Sequence, residues 1–255
     1  MENKTVLLYK ELGQTPLECI LEYKKKTGEE RPMTYAGRLD PMAEGLLLCL
    51  VGEECKNKDQ YLGLNKKYIF EILFGFSTDT HDLLGLVDRE FAPVKNGGYE
   101  FLDNKEFNDL LSSFIGKRNQ VYPIYSSKTV NGEQLHSLAR SGLIDEDNNP
   151  SKEIEIFSLN KIGETKVSNT DLIEEIKRKI NLVKGDFRQK EIIEKWKNII
   201  SKEHKNLENT FSIIKIEMTC SSGTYVRALV RDLSKLSGLP MCTYSIIRTE
   251  IGEYR

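Results

Sequence analysis

Three stretches of the sequence combine residue types that could do chemistry. In the first, residues 35–45, Asp40 stands directly before Pro41, beside Arg38-Leu39 and between two glycines. A residue that precedes proline is pushed toward an extended backbone, which would fix the carboxylate in space. Asp40 could instead cap one helical turn that begins at Pro41, and from these residues alone we favour the cap.

The second stretch, residues 74–85, places small hydroxyl side chains and two acids in a loop directly after an apolar run. Asp79 and Asp82 could satisfy a turn through their own hydrogen bonds, or they could position a polar substrate. Their spacing does not choose between the two. The pattern differs from that of a Ca²⁺-binding loop, so we assign no metal to it.

The third stretch, residues 220–227, is a glycine-containing turn that leads into a helix with Arg227 in its first turn. A cation at that position opposes the helix dipole by a few tenths to about 1 kcal/mol. Arg227 is therefore a candidate to seek an anion, either a carboxylate or a phosphate. An exposed arginine that reaches solvent is the alternative interpretation.

Composition limits the class of protein to which these stretches belong. The 255 residues are 39% hydrophobic and 30% charged, which suffices for one large domain or two modest ones with a real core. Five scattered cysteines without a CxxC pair and three histidines support neither a disulfide framework nor a zinc site. The N-terminus lacks the features of a secretory signal, and no run approaches the roughly 18 apolar residues of a membrane helix. We expect a reduced, cytoplasmic protein with no metal and no membrane partner.

The net charge of −2 by itself predicts no nucleic-acid partner. By region, however, the charge is −7 over residues 1–160, +3 over 161–208 and +2 over 209–255. A protein that grips phosphates concentrates lysine and arginine on one surface, whatever its total charge. The net charge therefore excludes only a non-specific polyanion binder.

The elements that must position the three stretches follow no βαβ repeat. Capping residues and apolar spacing predict helices over residues 16–27, 103–116, 133–141 and from 226 onward, with two amphipathic helices within 165–208. Apolar runs predict strands over residues 45–52, 67–74, 153–159, 209–219 and 243–251. This order indicates an α+β fold with a mixed, mostly antiparallel sheet flanked by helices and loops.

In this order the three stretches resemble the bacterial tRNA pseudouridine-55 synthase (TruB) family, whose hallmark is a Gly-x-Leu-Asp-Pro loop. Residues 10–15 look like the family's opening Lys-Pro-x-Gly-x-Thr. Residues 66–85 look like its Lys-x-Tyr strand and Thr-Asp-Thr-x-Asp loop, and residues 222–233 look like its Gly-Thr-Tyr-x-Arg helix. Residues 120–142 resemble its RNA-gripping thumb. The resemblance covers about residues 10–160 and 209–255.

The resemblance implies a pseudouridine synthase fold that isomerises uridine 55 in the T-arm of tRNA, as a monomer and without a cofactor. Asp40 would be the nucleophile, attacking the flipped-out uridine at the base or at the sugar C1′; the route stays open. Tyr68 would stack on the uracil and help to remove the C5 proton. Arg227 would pair with the carboxylate, since an arginine favours the ionised, nucleophilic form. Further substrate contacts are implied for Tyr35, Arg38, Asp82, Lys128, Arg140, Tyr225 and Ile246.

Three departures from the family pattern matter. Tyr35 stands where the family commonly has a histidine, and Lys10-Glu11 replaces Lys-Pro. The sequence stops at Arg255, directly after the last expected strand, so we expect one catalytic domain over residues 1–255 and no C-terminal RNA-binding (PUA) domain. We also expect a charged helical insertion at about 161–208. It could supply phosphate contacts or be a surface elaboration with solvated charges.

Other functions stay open beside a tRNA synthase. The chain could be a synthase for another RNA, or a non-catalytic RNA-binding or tRNA-folding module on the same fold. A glycosidase using Asp40 and Glu44 would need two carboxyl groups roughly 5–10 Å apart around a sugar platform. Nothing in the sequence supplies that platform, and a glycosidase gives no reason for Arg227.

Overall fold

The computed structural model describes residues 4–90, 103–126, 128–130, 132–144, 149–203 and 210–255, with residues 136, 140, 202 and 203 described by their backbone alone. The strands in these ranges are β1 (Thr5–Lys10), β2 (Met33–Tyr35), β3 (Ala43–Val51), β4 (Lys66–Phe74), β5 (Phe76–Thr78), β6 (Val87–Glu90), β7 (Gly116–Val121), β8 (Thr129–Val130), β9 (Glu133–Gln134), β10 (Ser151–Ser168), β11 (Thr210–Cys220) and β12 (Met241–Ile251). The α-helices are α1 (Pro16–Thr27), α2 (Lys58–Leu62), α3 (Asn104–Ser112), α4 (Leu135–Arg140), α5 (Asn169–Leu182), α6 (Gln189–Glu203) and α7 (Val226–Ser237). A 3₁₀ helix spans Gly52–Asn57.

One mixed sheet forms the centre of the fold. Its strand order is β1-β3-β12-β4-β11-β10-β7, with β2 paired to β3. Every pair is antiparallel except β12 with β3, which run parallel where Ile246–Arg248 lies beside Ala43–Gly45. Two short ladders, β5 with β6 and β8 with β9, lie outside the sheet. The predicted α+β fold with a mixed, mostly antiparallel sheet is confirmed.

Apolar side chains of β4 pack against helices on both sides of the sheet, through one continuous apolar face and through Leu73 on the other. Tyr68, Phe70, Ile72 and Phe74 share one face and belong to a core cluster with buried residues of α3 and α7. Leu73 belongs to a second cluster, with apolar residues of α5 and α6 and with Met42 of the loop before β3. The pair α5–α6 is thereby anchored in the core close to the Asp40 loop.

The start of α1 follows from its sequence. Thr15 accepts a hydrogen bond from the backbone N–H of Glu18 at 3.2 Å, and the Glu18 carboxylate accepts one from the Thr15 N–H at 2.8 Å. This capping box satisfies two backbone donors that the helix itself leaves unpaired. The predicted bounds of residues 16–27 are confirmed.

Two predicted element boundaries are wrong. The helix predicted over 103–116 ends at Ser112, and Gly116, with φ of 104°, opens β7 instead. Residues 161–168 are not helical but extend β10, and α5 begins only at Asn169. Past residue 156 β10 pairs with β11 and no longer with β7, so this end is a polar edge strand. Hydrophobic periodicity gives no signal for such a strand.

No helix in the described ranges is long and apolar enough to cross a membrane.

Candidate active site

A cavity of about 580 Å³ lies where the loop before β3 meets residues of five other segments. It is lined by the start of α1, residues 35–42, residues 80–84, residues 125–126, residues 186–188 and Arg227. Its volume falls in the range of about 300–1,000 Å³ that is typical of small-molecule sites. The cavity therefore has room for a nucleoside-sized group.

Asp40 lies in the cavity wall at a turn, not at the start of a helix. Pro41 and Met42 form the turn, the Ala43 N–H donates to the Asp40 carbonyl at 3.0 Å, and the chain enters β3 at once. The capping interpretation is therefore wrong. The Asp40 side chain is 29% exposed and faces Arg227.

Arg227 is the second residue of α7, and its side chain is 4% exposed. Its Nε and Nη2 lie 2.8 and 2.7 Å from Oδ2 of Asp40. Nη1 and Nη2 also donate to the backbone carbonyls of Thr80 and Tyr125 at 3.0 and 3.1 Å. The solvent-exposed interpretation is wrong, and the anion that this cation pairs with is a carboxylate.

Asp82 is a second acid beside the same guanidinium. Its Oδ2 lies 3.6 Å from Nε of Arg227, and its Oδ1 accepts from the Thr80 hydroxyl at 2.7 Å and from the Leu84 N–H at 2.9 Å. Burial raises the pKa of Asp82, and the Arg227 charge opposes that rise. Residues 79–86 thus satisfy a turn through their own side chains and also border the cavity.

Two buried cations that we did not predict as site residues hold the Asp40 loop from behind. Arg248, 1% exposed, donates to the carbonyls of Leu46, Arg38 and Gly37 at 2.8, 3.3 and 3.3 Å. Lys10, 0% exposed, donates to the Ala43 carbonyl at 2.5 Å. Burial lowers the pKa of Lys10 to about 8.

A glycine in β3 allows this close approach. Gly45 has φ of 108°, and a Cβ there would lie 2.3 Å from the Arg248 carbonyl oxygen. Any other residue at this position would be strained and would clash with β12. Gly45 was the available sequence signal for this contact.

The structure brings Tyr35, Arg38, Asp40, Asp82 and Arg227 together in the cavity wall. Arg38 is exposed, and its Nη2 donates to the Tyr35 hydroxyl at 3.2 Å.

Tyr68, Ile246 and Tyr225 are not among the described lining; the first two lie in the core beside this wall, and Tyr225 is half-buried. Tyr68 is 8% exposed and packs in one cluster with Leu39 and Ala43, the neighbours of the Asp40 turn. Burial raises the pKa of Tyr68 against the opposing charge of Arg248, and the Asp40 charge adds a smaller effect in the same direction as burial. Ile246 is 5% exposed and pairs with Ala43 across β12 and β3.

Tyr225 precedes α7 and is held by Gln120 from two sides. The Gln120 amide accepts from the Tyr225 N–H at 2.8 Å and donates to its carbonyl at 3.1 Å. Burial, followed by the Asp40 charge, raises the pKa of Tyr225 to about 12. The phenol therefore stays protonated near the carboxylate at neutral pH.

The two predicted thumb cations do not join this cluster. Lys128 is exposed, with its Nζ 5.6 Å from the centre of the Tyr122 ring, and it is absent from the described cavity lining. Arg140 is the last residue of α4, and its side chain lies outside the described part of the structure.

Sequence reasoning missed Phe187 and Arg188, which lie between α5 and α6 and line the cavity. The Nη2 of Arg188 donates to Oδ2 of Asp79 at 2.9 Å, across a separation of 109 residues. No local pattern signals a contact over that distance.

Residues 24–187 match the TruB family pseudouridylate synthase, N-terminal domain. The chain belongs to the TruB family. This TruB-family chain is 30% identical over 235 residues to tRNA pseudouridine synthase B of Caldanaerobacter subterraneus subsp. tengcongensis, covering 92% of this chain and 64% of that protein. It is 29% identical over 254 residues to tRNA pseudouridine synthase B of Bacillus subtilis, covering 100% of this chain and 67% of that protein. The chain thus spans about two thirds of the length of these curated relatives.

Solved structures resemble the TruB-family chain in fold. One chain of the crystal structure of a Cbf5-Nop10-Gar1 complex aligns with a TM-score of 0.58 and 13% identity, covering 98% of this chain and 49% of that chain. At this identity the likeness shows the fold alone. Together with the family match, it confirms the expected pseudouridine synthase fold.

The arrangement favours nucleophilic chemistry by one carboxylate. Asp40 is oriented by a permanently charged guanidinium beside a cavity, which is how a carboxylate nucleophile is held ready. Glu44 is absent from the described cavity lining, so the acid pair of a glycosidase is not assembled there. No cluster of three or more metal-ligating side chains occurs among the described residues.

Proposed function

We propose that this chain is the catalytic part of a tRNA pseudouridine synthase that isomerises uridine 55 in the T-arm, with Asp40 as the nucleophile. The proposal includes a monomer that acts in the cytoplasm, and a single catalytic domain into which α5 and α6 are inserted. The observation that carries it is the contact between Asp40 and Arg227 in the wall of the cavity.

The reaction explains why a cavity is needed. Isomerisation breaks the bond between C1′ and N1 of the uridine and joins C1′ to C5, while C5 loses a proton and N1 gains one. A base cannot turn over in this way inside an RNA stack, so the nucleotide must be flipped into a pocket. The reaction changes neither oxidation state nor composition, so it needs no cofactor.

The carboxylate has one oxygen available for the substrate. Both contacts from Arg227 go to Oδ2 of Asp40, and no described residue donates a hydrogen bond to Oδ1. Arg227 thereby fixes the orientation of the carboxylate without covering it. This supports attack by Asp40 on the base or on the sugar C1′, and the geometry does not favour one route over the other.

Tyr68 enters this proposal as a protonated phenol. It packs against Leu39 and Ala43 behind the nucleophile, and burial raises its pKa. A protonated phenol cannot by itself take the C5 proton, so stacking against the uracil is the better supported of its two expected roles. Tyr225 and Ile246 would line the base pocket.

The proposal is tested with the purified chain and an unmodified tRNA transcript, with pseudouridine measured by mass spectrometry or carbodiimide labelling. We expect pseudouridine at position 55 without added cofactor. Asp40→Asn should abolish product, while the affinity for the transcript stays within about threefold, because the substitution preserves shape and removes the nucleophile.

Glu44→Gln is the matched control, since it makes the same carboxylate-to-amide change four residues away, outside the described lining. It should keep most of the activity. Undiminished product from Asp40→Asn would refute the role of Asp40. Binding of the transcript without any product from the unaltered chain would favour the non-catalytic RNA-binding module, and product at other positions or in other RNAs would change the substrate.

A further inference from the structure

The segment between α5 and α6 brings a cation to the cavity wall. Asp186, Phe187 and Arg188 line the cavity at the end of the family match, which runs over residues 24–187. The Arg188 guanidinium donates to Asp79 at 2.9 Å and lies 5.4 Å from the centre of the Tyr125 ring. An acid and an aromatic face therefore hold it in a defined position.

Arg188 differs from Arg227 in how many of its N–H donors are already used in hydrogen bonds. The Arg227 side chain is 4% exposed, and its nitrogens donate to Asp40 and to two backbone carbonyls. The Arg188 side chain is 35% exposed, and among the described residues Asp79 alone accepts a hydrogen bond from its guanidinium. Since a guanidinium has five N–H donors, Arg188 keeps donors for an anion from outside the protein.

The position of Arg188 is also fixed through its backbone. Its carbonyl accepts from the Ile192 N–H at 3.0 Å, which ties it to the first turn of α6. The helix is anchored in turn, because Ile192 and Trp196 are 0% and 1% exposed in the second core cluster. A cation placed this firmly loses little conformational entropy when it binds an anion.

The charge balance of the cavity shows why such a cation is needed. Asp40, Asp82 and Asp186 all line it, and these acids would repel the phosphates of an RNA strand. A flipped nucleotide stays joined to the strand through its two phosphates, which must therefore come to the mouth of the cavity. Arg227 is already engaged inside, so the two more exposed cations of the lining, Arg38 and Arg188, are left to meet them.

We propose that Arg188 binds a backbone phosphate of the RNA next to the flipped uridine, and that the α5–α6 pair serves to place this substrate-recognition residue. The inference rests on the proposed function for the kind of substrate. Asp79 orients the guanidinium in the free protein and competes with the phosphate for it.

The test measures the dissociation constant of the full chain for an unmodified tRNA transcript over a series of KCl concentrations. Arg188→Gln should raise the dissociation constant about tenfold and flatten the slope of log K against log[KCl] by about 0.7–0.9, as expected for one lost phosphate contact. With saturating transcript, kcat should change by less than about twofold, because the contact is equally strong before and during the reaction.

Arg178→Gln is the matched control. Arg178 lies in α5, pairs with Glu175, has a 57% exposed side chain and is absent from the described cavity lining. The substitution removes the same charge only ten positions earlier in the chain. It should change the dissociation constant by less than about twofold and leave the slope unaltered.

Asp79→Asn separates a recognition role from a structural one. It keeps an oxygen for the Leu86 N–H, which donates to Asp79 at 2.8 Å, and it removes the charge that competes for Arg188. If Arg188 binds phosphate, this variant binds the transcript more tightly than the unaltered chain. If the ion pair only holds the fold together, Asp79→Asn weakens binding as Arg188→Gln does.

The outcomes are distinct. An unchanged slope for Arg188→Gln, weaker binding by Asp79→Asn, or no transcript binding by the unaltered chain overturns the inference. Should Arg188→Gln fail to fold, Arg188→Lys must keep the slope of the unaltered chain, and a flattened slope overturns the inference. If the variants bind the transcript as expected but the unaltered chain forms no pseudouridine, the inference stands and the proposed function is refuted. If the unaltered chain forms pseudouridine and Arg188→Gln binds the transcript with an unchanged dissociation constant and slope, only the inference is refuted.

Discussion

Replacing Arg227 by glutamine should destabilise the protein in a way that depends on pH. The substitution removes the counter-charge from Asp82, which is 5% exposed, and takes donors away from the carbonyls of Thr80 and Tyr125. Removing one partner of a buried ion pair typically costs about 3–5 kcal/mol, because a buried charge is left uncompensated. Asp40 adds less to this cost, since its side chain is 29% exposed and water can solvate it.

The pH dependence follows from Asp82. Burial raises its pKa above the ordinary value of 3.8 even with Arg227 present, so removing the guanidinium raises that pKa further. A carboxyl group that binds its proton more tightly in the folded state destabilises the fold as pH rises from its unfolded pKa through its folded pKa. We expect Arg227→Gln to cost about 4 kcal/mol at pH 7.5 and measurably less at pH 5, because the cost of the uncompensated Asp82 charge shrinks as pH falls through its raised pKa.

Urea unfolding at the two pH values measures this difference. The chain's single tryptophan, Trp196, is 1% exposed in the second core cluster and provides a fluorescence signal, while far-UV circular dichroism reports on the whole chain. The double variant Asp82→Asn, Arg227→Gln should recover most of the loss at pH 7.5, with Asp82→Asn alone as its reference. Equal destabilisation at both pH values, or no recovery in the double variant, would refute the argument.

Two further substitutions probe the support of the Asp40 loop. Gly45→Ala should cost about 2–4 kcal/mol and most of the activity, because its Cβ would lie 2.3 Å from the Arg248 carbonyl oxygen at a φ of 108°. The control is Gly63→Ala, where a Cβ would meet nothing within 4 Å. Both variants are compared in urea unfolding and in the pseudouridine assay, and equal effects of the two substitutions would contradict the clash. Between about pH 8 and 10.5 the unfolded chain holds a proton on Lys10 that the buried lysine has lost, so the free energy of unfolding should rise with pH. Lys10→Met should flatten this rise. Lys56→Met, at a side chain 75% exposed, should leave that increase intact, and a Lys10→Met profile identical to it would be evidence against the lowered pKa of Lys10.

Features set by neighbouring residues could be predicted from the sequence. The capping box at Thr15 and Glu18 and the alternation of β4 both depend on side chains a few positions apart, so their signals are local. The anion partner of Arg227 was also within reach, because a cation in the first turn of a helix breaks a local rule.

Features set by distant contacts could not be predicted. The turn at Pro41 is possible because Lys10 and Arg248 hold the residues on either side of it, and a cap at Asp40 was the better local explanation. The polar end of β10 is a strand because β11 pairs with it. Arg188 lies in a region predicted to be helical, for which both phosphate contacts and solvated charges were open, and only the folded chain brings it beside Asp79.

The contacts of Arg227 have a consequence for the order in which the molecule is made. Asp40, Thr80 and Tyr125 lie 187, 147 and 102 residues before it in the chain, so each contact closes a long loop. During synthesis Asp40, the proposed nucleophile, therefore leaves the ribosome long before Arg227, the residue that orients it. A nascent chain carries Asp40 without its Arg227 partner, and the proposed site is assembled only when α7 has emerged and docked.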